Sequence, residues 1–430
     1  MAVAILLVLV LPGMGWGLPS ELRNRLTLGV DREGWLAPEL SDGEAEDPWA
    51  AYPNFLEGGP ERTGTYPRSA FNPIRSYHPD EYAILKSLSG MDPSEFDFHP
   101  GFFGWPACQI YVVGGALKLA EIVGYVELKP DMDFYFRHPE EMARLYLVGR
   151  CVTLLFAIGC VIALWYAGTR LLGSLGGSLS ALTLAGMPLI MVNSRWLTAD
   201  MPMLFWIAAS FACAVHILKG GGRKWAVAAG IFIGLAAGTR YQGALSAVPV
   251  FFACLLRDRS EGRLPLHRRI AATLRCGDLW LAAVCSIGVF VLVNPYILLN
   301  PVQFWSELAG ELSGSRSPGS WFINTLLIVV TGFGPLLGMA TLGAAAMAVA
   351  QRKKEAIFIL AGFGLPCLFL WLNRPVMARY YLPGILACPL LVGWTGSVLH
   401  RKGCERGRTP GRLAVPVLLT LILAATIVQS

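Results

Sequence analysis

The sequence has 430 residues, of which 54% are hydrophobic and only 15% are charged, and its net charge is +6. This composition excludes a disordered chain, a coiled coil and a disulfide-stapled secreted domain, and it is too apolar for an ordinary soluble enzyme of this length. In a soluble chain the positive charge would suggest nucleic acid, but here the cations lie in short connections between apolar runs. We therefore predict a membrane protein in contact with lipids, with no nucleic-acid partner.

The apolar runs predict about eleven transmembrane helices. They lie at residues 2–17, 146–169, 177–193, 199–218, 225–239, 243–256, 279–298, 323–350, 355–373, 381–399 and 413–429. The first run has no basic residues before it, so we expect a membrane helix and not a cleaved signal peptide. The expected fold class is an all-α polytopic membrane protein. Its parts are a first transmembrane helix (1–17), a large extracytoplasmic loop (18–145) and a transmembrane helical bundle (146–430).

The charges of the connections predict the orientation. Eighteen of the 35 basic residues lie at Arg170 and in the segments 219–224, 257–275, 352–354 and 401–412, which are expected on the cytoplasmic side. The segment 18–145 instead carries 21 of the 29 acidic residues and is expected outside. Its apolar stretch at 105–117 is too short to span, and a crossing there would place every basic connection outside. We therefore predict an interfacial, juxtamembrane helix.

Two motifs of this loop carry ionisable groups. The run HPDEY at 78–82 predicts a helix that begins at Pro79, with Asp80 and Glu81 in its first turn. The run FDFHPGFFGWP at 96–106 contains His99 in an aromatic entry to the interfacial helix. Taken alone, the first motif is compatible with ordinary helix-end charge and the second with an aromatic belt at the membrane surface.

Further ionisable residues lie where the predicted spans end on the outer side. Asp200 follows Arg195 in the run NSRWLTAD, and an acid at that depth is expected to face a water-filled cavity or a partner such as Arg195. Three more arginines lie at outward helix ends, namely Arg150, Arg240 (followed by Tyr241) and Arg379. Each arginine alone is compatible with a snorkelling anchor. Together, carboxylates and guanidinium groups that face one cavity are suited to a phosphate leaving group and an acid–base step.

These motifs resemble the polyprenyl-phosphate-dependent glycosyltransferases of the GT-C fold, which include protein O-mannosyltransferases and the bacterial aminoarabinose transferase. HPDEY resembles the acidic motif of their first loop, and FDFHPGFFGWP is similar to a segment that commonly reads HPPL. The other matching segments are Arg150 with the run that follows it, SRWLTADMPMLFW at 194–206, GLAAGTRYQG at 234–243, where the basic residue is commonly Lys, and RYYLP at 379–383. The resemblance covers nearly the whole chain.

The resemblance implies an inverting glycosyltransferase that moves one sugar from a polyprenyl-phosphate donor to an acceptor on the extracytoplasmic side of the cell inner or plasma membrane. Asp80 would be the general base, with Glu81 and Asp200 in the catalytic set. The substrate-binding residues would be His99, Arg150, Arg195, Arg240, Tyr241 and Arg379. Some branches of this fold use a divalent cation, so a metal held by Asp80 and Asp200 stays open.

The acceptor also stays open among a lipid, a glycan and a protein hydroxyl. His99-Pro100 is followed by Gly101 where a second proline is usual, and we expect no soluble C-terminal domain for an acceptor. The main alternative function is a polytopic transporter or lipid flippase. Transporters place charges near the membrane midplane and often contain internal repeats, and this sequence shows no such repeat. A noncatalytic subunit is a third alternative, and it predicts loss of the motifs that are present here.

Overall fold

The structure is a computed structural model that describes residues 1–28, 72–257, 265–314, 325, 332, 334–372 and 377–405. These residues form helices and no β-strand beyond an isolated bridge between Asp92 and Asp97. Five α-helices of the described residues come before the bundle in the sequence. They are α1 (Ala2–Val10), α2 (Glu21–Leu28), α3 (Pro79–Ser89), α4 (Cys108–Ile122) and α5 (Met132–Arg137).

The remaining α-helices build the bundle. They are α6 (Pro139–Leu172), α7 (Ser174–Ala185), α8 (Pro188–Asn193), α9 (Asp200–Leu218), α10 (Arg223–Thr239), α11 (Ala247–Leu256), α12 (Leu266–Leu274), α13 (Gly277–Leu292), α14 (Tyr296–Leu299), α15 (Pro301–Gly314), α16 (Pro335–Gln351), α17 (Lys354–Leu372), α18 (Leu382–Ile385) and α19 (Ala387–Glu405). Short 3₁₀ helices lie at Leu11–Gly13, Pro93–Glu95, Tyr241–Ser246 and Ala378–Tyr381.

By length and composition, three helices of the described residues can cross a membrane, namely α6, α9 and α17. The number rises to five if the bent pairs α12–α13 and Ala378–Ile385 with α19 each count as one span. Shorter apolar helices lie in several of the other predicted spans. These findings confirm an all-α membrane protein, whereas the number of eleven spans stays a prediction. The span at 413–429 and most of 323–334 lie outside the described residues.

The predicted interfacial helix is present as α4, which begins at Cys108 and ends at Ile122. At 1.5 Å per residue its 15 residues extend about 22 Å, less than the roughly 30 Å of a hydrocarbon core. Its C-terminal part exposes the apolar side chains Leu119 and Ile122. Its place at the membrane surface stays a prediction.

Two apolar cores hold the helices in place. The larger core joins α6, α9, α10 and their neighbours, and in it Phe211 of α9 stacks on Phe358 of α17 at 5.4 Å between ring centroids. The smaller core includes Ile84 of α3, Val113 of α4 and Tyr146 of α6, all of them fully buried. The smaller core therefore fixes α3, which carries the acidic motif, against the N-terminal part of α6.

Helix α10 approaches α13 closely because glycines face the contact. A Cβ atom at Gly230 would lie 2.4 Å from the carbonyl oxygen of Ala282, and one at Gly234 would lie 2.6 Å from that of Ser286. These separations are below van der Waals contact, so a larger residue would force the helices apart. The close packing sets the position of the C-terminal end of α10, where Arg240 is the capping residue.

Candidate active site

Asp80 lies in the first turn of α3, whose start is the one that the sequence predicts. Pro79 is the first helical residue, and Nδ1 of the capping residue His78 accepts a hydrogen bond from the backbone N–H of Asp80 at 3.2 Å. Burial lowers the pKa of His78 below its ordinary value. The imidazole therefore stays neutral near pH 7, which keeps Nδ1 available as the acceptor.

The centre of the site is a cluster of two carboxylates and two guanidinium groups. Arg379 donates to Asp80 through Nη1 at 2.7 Å and through Nη2 at 3.4 Å, and Arg240 Nη2 donates to Asp80 Oδ2 at 3.3 Å. Asp200 completes the cluster, with its Oδ1 at 3.1 Å from Arg240 Nε and its Oδ2 at 3.8 Å from Arg379 Nη1. We call these four residues the charge cluster. Its formal charges cancel.

Each member of the charge cluster comes from the end of a different element. Asp80 and Asp200 lie in the first turns of α3 and α9, where the partial positive charge of a helix N-terminus favours a carboxylate. Arg240 caps the C-terminus of α10, where a cation is favoured, and Arg379 lies in the 3₁₀ helix Ala378–Tyr381. The fold thus brings together residues that lie up to 299 positions apart in the sequence.

The charge cluster is buried, but its hydrogen bonds are not saturated. The Asp200 side chain is 1% exposed, whereas those of Asp80 and Arg379 are 11% and 13% exposed. Neither oxygen of Asp200 makes an aligned hydrogen bond within the described residues, and the Nε atoms of Arg240 and Arg379 make none there either. The contacts of Asp200 are therefore electrostatic and are not aligned hydrogen bonds. The Asp200 oxygens and the two Nε–H groups remain available to hydrogen-bond a ligand.

Glu81 and Arg150 form a second, separate ion pair. Both are fully buried, and Arg150 Nε and Nη2 donate to the two oxygens of Glu81 at 2.8 and 2.7 Å. Glu81 also accepts a hydrogen bond from the backbone N–H of Leu197 at 2.7 Å. Arg150 Nη1 donates to the carbonyl oxygens of Met14 and Trp16. The pair therefore connects α3, α6, the segment before α9 and the residues that follow α1. All three guanidinium nitrogens of Arg150 have acceptors in the protein.

Arg195 differs from its expected place. Pairing with Asp200 was one alternative for this residue, but the ion-pair partners of Asp200 among the described residues are Arg240 and Arg379. Arg195 Nη2 instead donates to the carbonyl oxygen of Leu9 near the end of α1. A helix C-terminus favours a cation, which explains why this arginine turns away from Asp200.

His99 lies in the aromatic segment 96–106 and Tyr241 contacts that segment, and neither residue is a member of the charge cluster. His99 Nδ1 accepts a hydrogen bond from the N–H of Gly101 at 3.0 Å, and its ring meets that of Tyr296 edge-on at 5.0 Å. Tyr241 donates from its hydroxyl to the carbonyl oxygen of Phe103 at 2.9 Å. Both residues therefore shape the segment 96–107. Their predicted contact with substrate stays a prediction.

Two aromatic residues that the sequence reasoning did not assign lie beside the arginines. The Trp105 ring centroid is 5.9 Å from Arg240 Cζ, and the Tyr380 ring centroid is 5.8 Å from the same atom. Both distances are within the range of cation–π contacts. Only their positions in the sequence could have identified these two residues. Tyr380 directly follows Arg379, and Trp105 is the last aromatic residue of the segment 96–106.

The charge cluster does not fit a divalent cation. Each of its carboxylates is in contact with both guanidinium groups, which repel a metal ion, and the described residues contain no group of three or more His, Cys, Asp or Glu side chains able to hold one. Divalent cations of this kind take several oxygen ligands. We therefore derive no step through a metal.

A cavity of about 1010 Å³ lies beside the C-terminal half of α3. Its wall is mostly apolar and includes Leu85 and Leu88 of α3 together with Tyr111, Met142 and Leu292. The cavity therefore places apolar surface on the same helix that carries Asp80 at its N-terminus.

Comparisons with known proteins agree with this architecture. Residues 145–299 match a family model described as dolichyl-phosphate-mannose-protein mannosyltransferase. The chain is similar to the crystal structure of ArnT from Cupriavidus metallidurans in the apo state, with 17% identity over 82% of this chain and 71% of that chain and a TM-score of 0.56. The structure of ArnT from the same organism bound to undecaprenyl phosphate gives 17% identity, the same coverage and a TM-score of 0.55. No curated protein sequence matches the chain significantly. These comparisons confirm the GT-C fold that the sequence motifs predicted.

Proposed function

We propose that this membrane protein of the GT-C fold is an inverting glycosyltransferase that moves one sugar from a polyprenyl-phosphate lipid to an acceptor on the extracytoplasmic side. The observation that carries the proposal is the charge cluster, in which two carboxylates and two arginines from four separate helix ends meet. The ArnT structure bound to undecaprenyl phosphate, which has the same fold, supports a lipid phosphate as the donor.

Asp80 is the general base of the proposed reaction. It takes the proton of the acceptor hydroxyl as the oxygen attacks the anomeric carbon of the sugar, and the bond from that carbon to the phosphate oxygen breaks. Asp80 suits this role better than Asp200, because its side chain is 11% exposed and that of Asp200 only 1%. A substrate hydroxyl can therefore reach Asp80 with less rearrangement.

Arg240 and Arg379 bind the phosphate of the donor. The transition state is oxocarbenium-like at the sugar while the phosphate regains negative charge, so arginines aimed at the phosphate stabilise the leaving group. Without substrate both arginines are in contact with Asp80. A bound phosphate competes for them, which weakens their hold on the carboxylate and leaves it free to accept a proton. Asp200 keeps Arg240 in place through its contact at 3.1 Å.

Glu81 and Arg150 position this machinery. Their bidentate contact holds the first turn of α3 against α6, and the bond from Leu197 to Glu81 holds the segment that leads to Asp200. We therefore revise the expected role of Arg150, since its guanidinium nitrogens already have protein acceptors. It acts on the phosphate only through the geometry of α3.

The proposal is tested by sugar transfer in purified protein. Wild-type protein in lipid nanodiscs is incubated with undecaprenyl-phosphate-linked mannose or aminoarabinose and a cell-envelope extract as acceptor, and the release of undecaprenyl phosphate is followed. We expect release with at least one donor and its loss in Asp80→Asn. The matched control is Asp133→Asn, an exposed carboxylate in the same predicted loop, which pairs only with Arg137 among the described residues.

The same preparation discriminates the flippase alternative. A flippase moves the intact donor between leaflets and releases no undecaprenyl phosphate. Translocation of a fluorescent donor by wild-type protein, without any release of phosphate, would therefore replace the glycosyltransferase assignment with transport.

A further inference from the structure

Several buried polar atoms of the charge cluster and its surroundings have no hydrogen-bond partner within the described residues. In the cluster itself these atoms are both carboxylate oxygens of Asp200, Arg240 Nε and Arg379 Nε, and Trp105 Nε1 belongs to a ring that lies against Arg240. Thr198 Oγ1, Gln242 Oε1 and Tyr381 Oη lie two residues along the chain from a cluster member, and further such atoms lie elsewhere in the described residues. Burying such groups unpaired costs free energy, so native proteins rarely keep them without a reason. The unpaired atoms of the charge cluster and of Trp105 beside it point to a ligand that supplies the missing partners.

Trp105 is an uncharged residue with such an unpaired atom, and its ring lies against Arg240. Its ring centroid is 5.9 Å from Arg240 Cζ, and the ring of Phe102 meets it edge-on at 4.8 Å. Its apolar part packs on the smaller core, which includes Ile84 and Leu85 of α3. The indole therefore lies between the helix that carries Asp80 and the arginine proposed to bind phosphate.

The backbone on both sides of Trp105 is held in place. Two residues before it, the N–H of Phe103 donates to Glu307 at 2.5 Å and its carbonyl oxygen accepts from Tyr241. Two residues after it, the N–H of Ala107 donates to Asn294 at 2.7 Å. These contacts come from the 3₁₀ helix Tyr241–Ser246, the residues just after α13, and α15, so the segment cannot easily turn the indole N–H toward another protein acceptor.

We propose that the Nε1–H of Trp105 donates a hydrogen bond to an oxygen of the donor head group, either a phosphate oxygen or a sugar hydroxyl. The inference rests on the proposed function, because it takes Arg240 as the phosphate-binding residue. An indole N–H is a donor only, so its partner is an acceptor oxygen, and a phosphate oxygen is an ionised one. Trp105 is thus a donor-binding residue whose ring lies against Arg240.

The test removes the N–H and keeps the shape of the side chain. Trp105 is replaced by β-(3-benzothienyl)alanine, in which sulfur takes the place of the N–H group, and in parallel by Phe. A hydrogen bond to a charged group is worth about a 10- to 100-fold change in affinity, so we expect a loss of that size in donor binding. The matched control is Trp165→Phe, since Trp165 lies in α6 with 47% of its surface exposed.

Two probes separate the possible partners. Binding of undecaprenyl phosphate alone and of undecaprenyl-phosphate-linked mannose is measured in nanodiscs. A loss for both probes assigns the N–H to a phosphate oxygen, and a loss for the mannose-linked probe alone assigns it to a sugar hydroxyl. Unchanged affinity for both probes overturns the inference.

The stability of the ligand-free protein provides a second readout. Because the N–H has no protein partner, the benzothienyl variant is expected to unfold at the same temperature as wild type or at a higher one. A lower Tm without ligand would show that the N–H has a protein acceptor, and it would overturn the inference whatever the affinity. If wild-type protein binds neither probe, the proposed function fails as well. If wild-type protein binds and the variant binds equally, only the role of Trp105 fails.

Discussion

Replacing Glu81 by Gln is expected to destabilise the protein by about 3–5 kcal/mol, because it leaves the charge of Arg150 buried without an anion. Both side chains are fully buried, and two hydrogen bonds of 2.7–2.8 Å join them. The amide of Gln keeps the size of the side chain and one oxygen for the N–H of Leu197, so the change removes charge and little else. The family resemblance implied a catalytic role for Glu81, and nothing in the sequence predicted that it would pair with Arg150.

A double-mutant cycle tests the origin of this cost. Glu81→Gln, Arg150→Met and the double variant are compared by unfolding in mixed detergent micelles. Because the double variant contains no unpaired charge, its loss of stability should be smaller than the sum of the single losses by at least about 1 kcal/mol. Additive losses, or a Glu81→Gln variant as stable as wild type, would refute the argument that the pair is held together by its charges.

Three further predictions follow from the charge cluster, the helix cap and the charge distribution. Arg240→Ala should weaken binding of undecaprenyl phosphate. Arg240→Lys should retain part of the activity, because the positive charge matters more at this position than the planar guanidinium group. Normal donor affinity and turnover in the Ala variant would favour the alternative that Arg240 is only a snorkelling membrane anchor. His78 has a pKa lowered by burial, so below about pH 6.5 the unfolded state binds more protons and stability should fall as the pH falls. His78→Asn, which caps without titrating, should flatten that profile in thermal unfolding, and an unchanged profile would exclude the imidazole as the cause. Cysteine labelling should place a probe at Ala45 outside and one at Lys353 inside, and finding both on one side would contradict the predicted topology.

The start of α3 could be predicted from the sequence because its determinants are local. Pro79 favours the first helical position and the acids that follow favour the first turn, and the structure confirms this start. The candidates Asp80, Asp200, Arg240 and Arg379 could also be chosen, because all of them lie at ends of predicted spans on one side. That these four residues contact one another in a single cluster does not follow from their lying on the same side of the membrane.

The pairing of the charges could not be predicted, because it depends on how the helices pack. Arg150 and Arg379 are of the same residue type at similar predicted depth, yet Arg150 lies opposite Glu81 and Arg379 opposite Asp80. One position along α3 turns a side chain by about 100°, so neighbouring acids face different partners. The partner of Arg195, a backbone carbonyl near the end of α1, leaves no trace in the side-chain pattern.

The measurement that tests the central claim most directly is the turnover of Asp80→Asn with donor binding followed in the same preparation. If Asp80 is the general base, turnover should fall by roughly 10²- to 10⁴-fold. Binding of undecaprenyl phosphate should be as tight as in wild type or tighter, because Arg379 and Arg240 lose the carboxylate that competes with the phosphate. Wild-type turnover, or a loss that is fully matched by failure to fold, would contradict the assignment of Asp80.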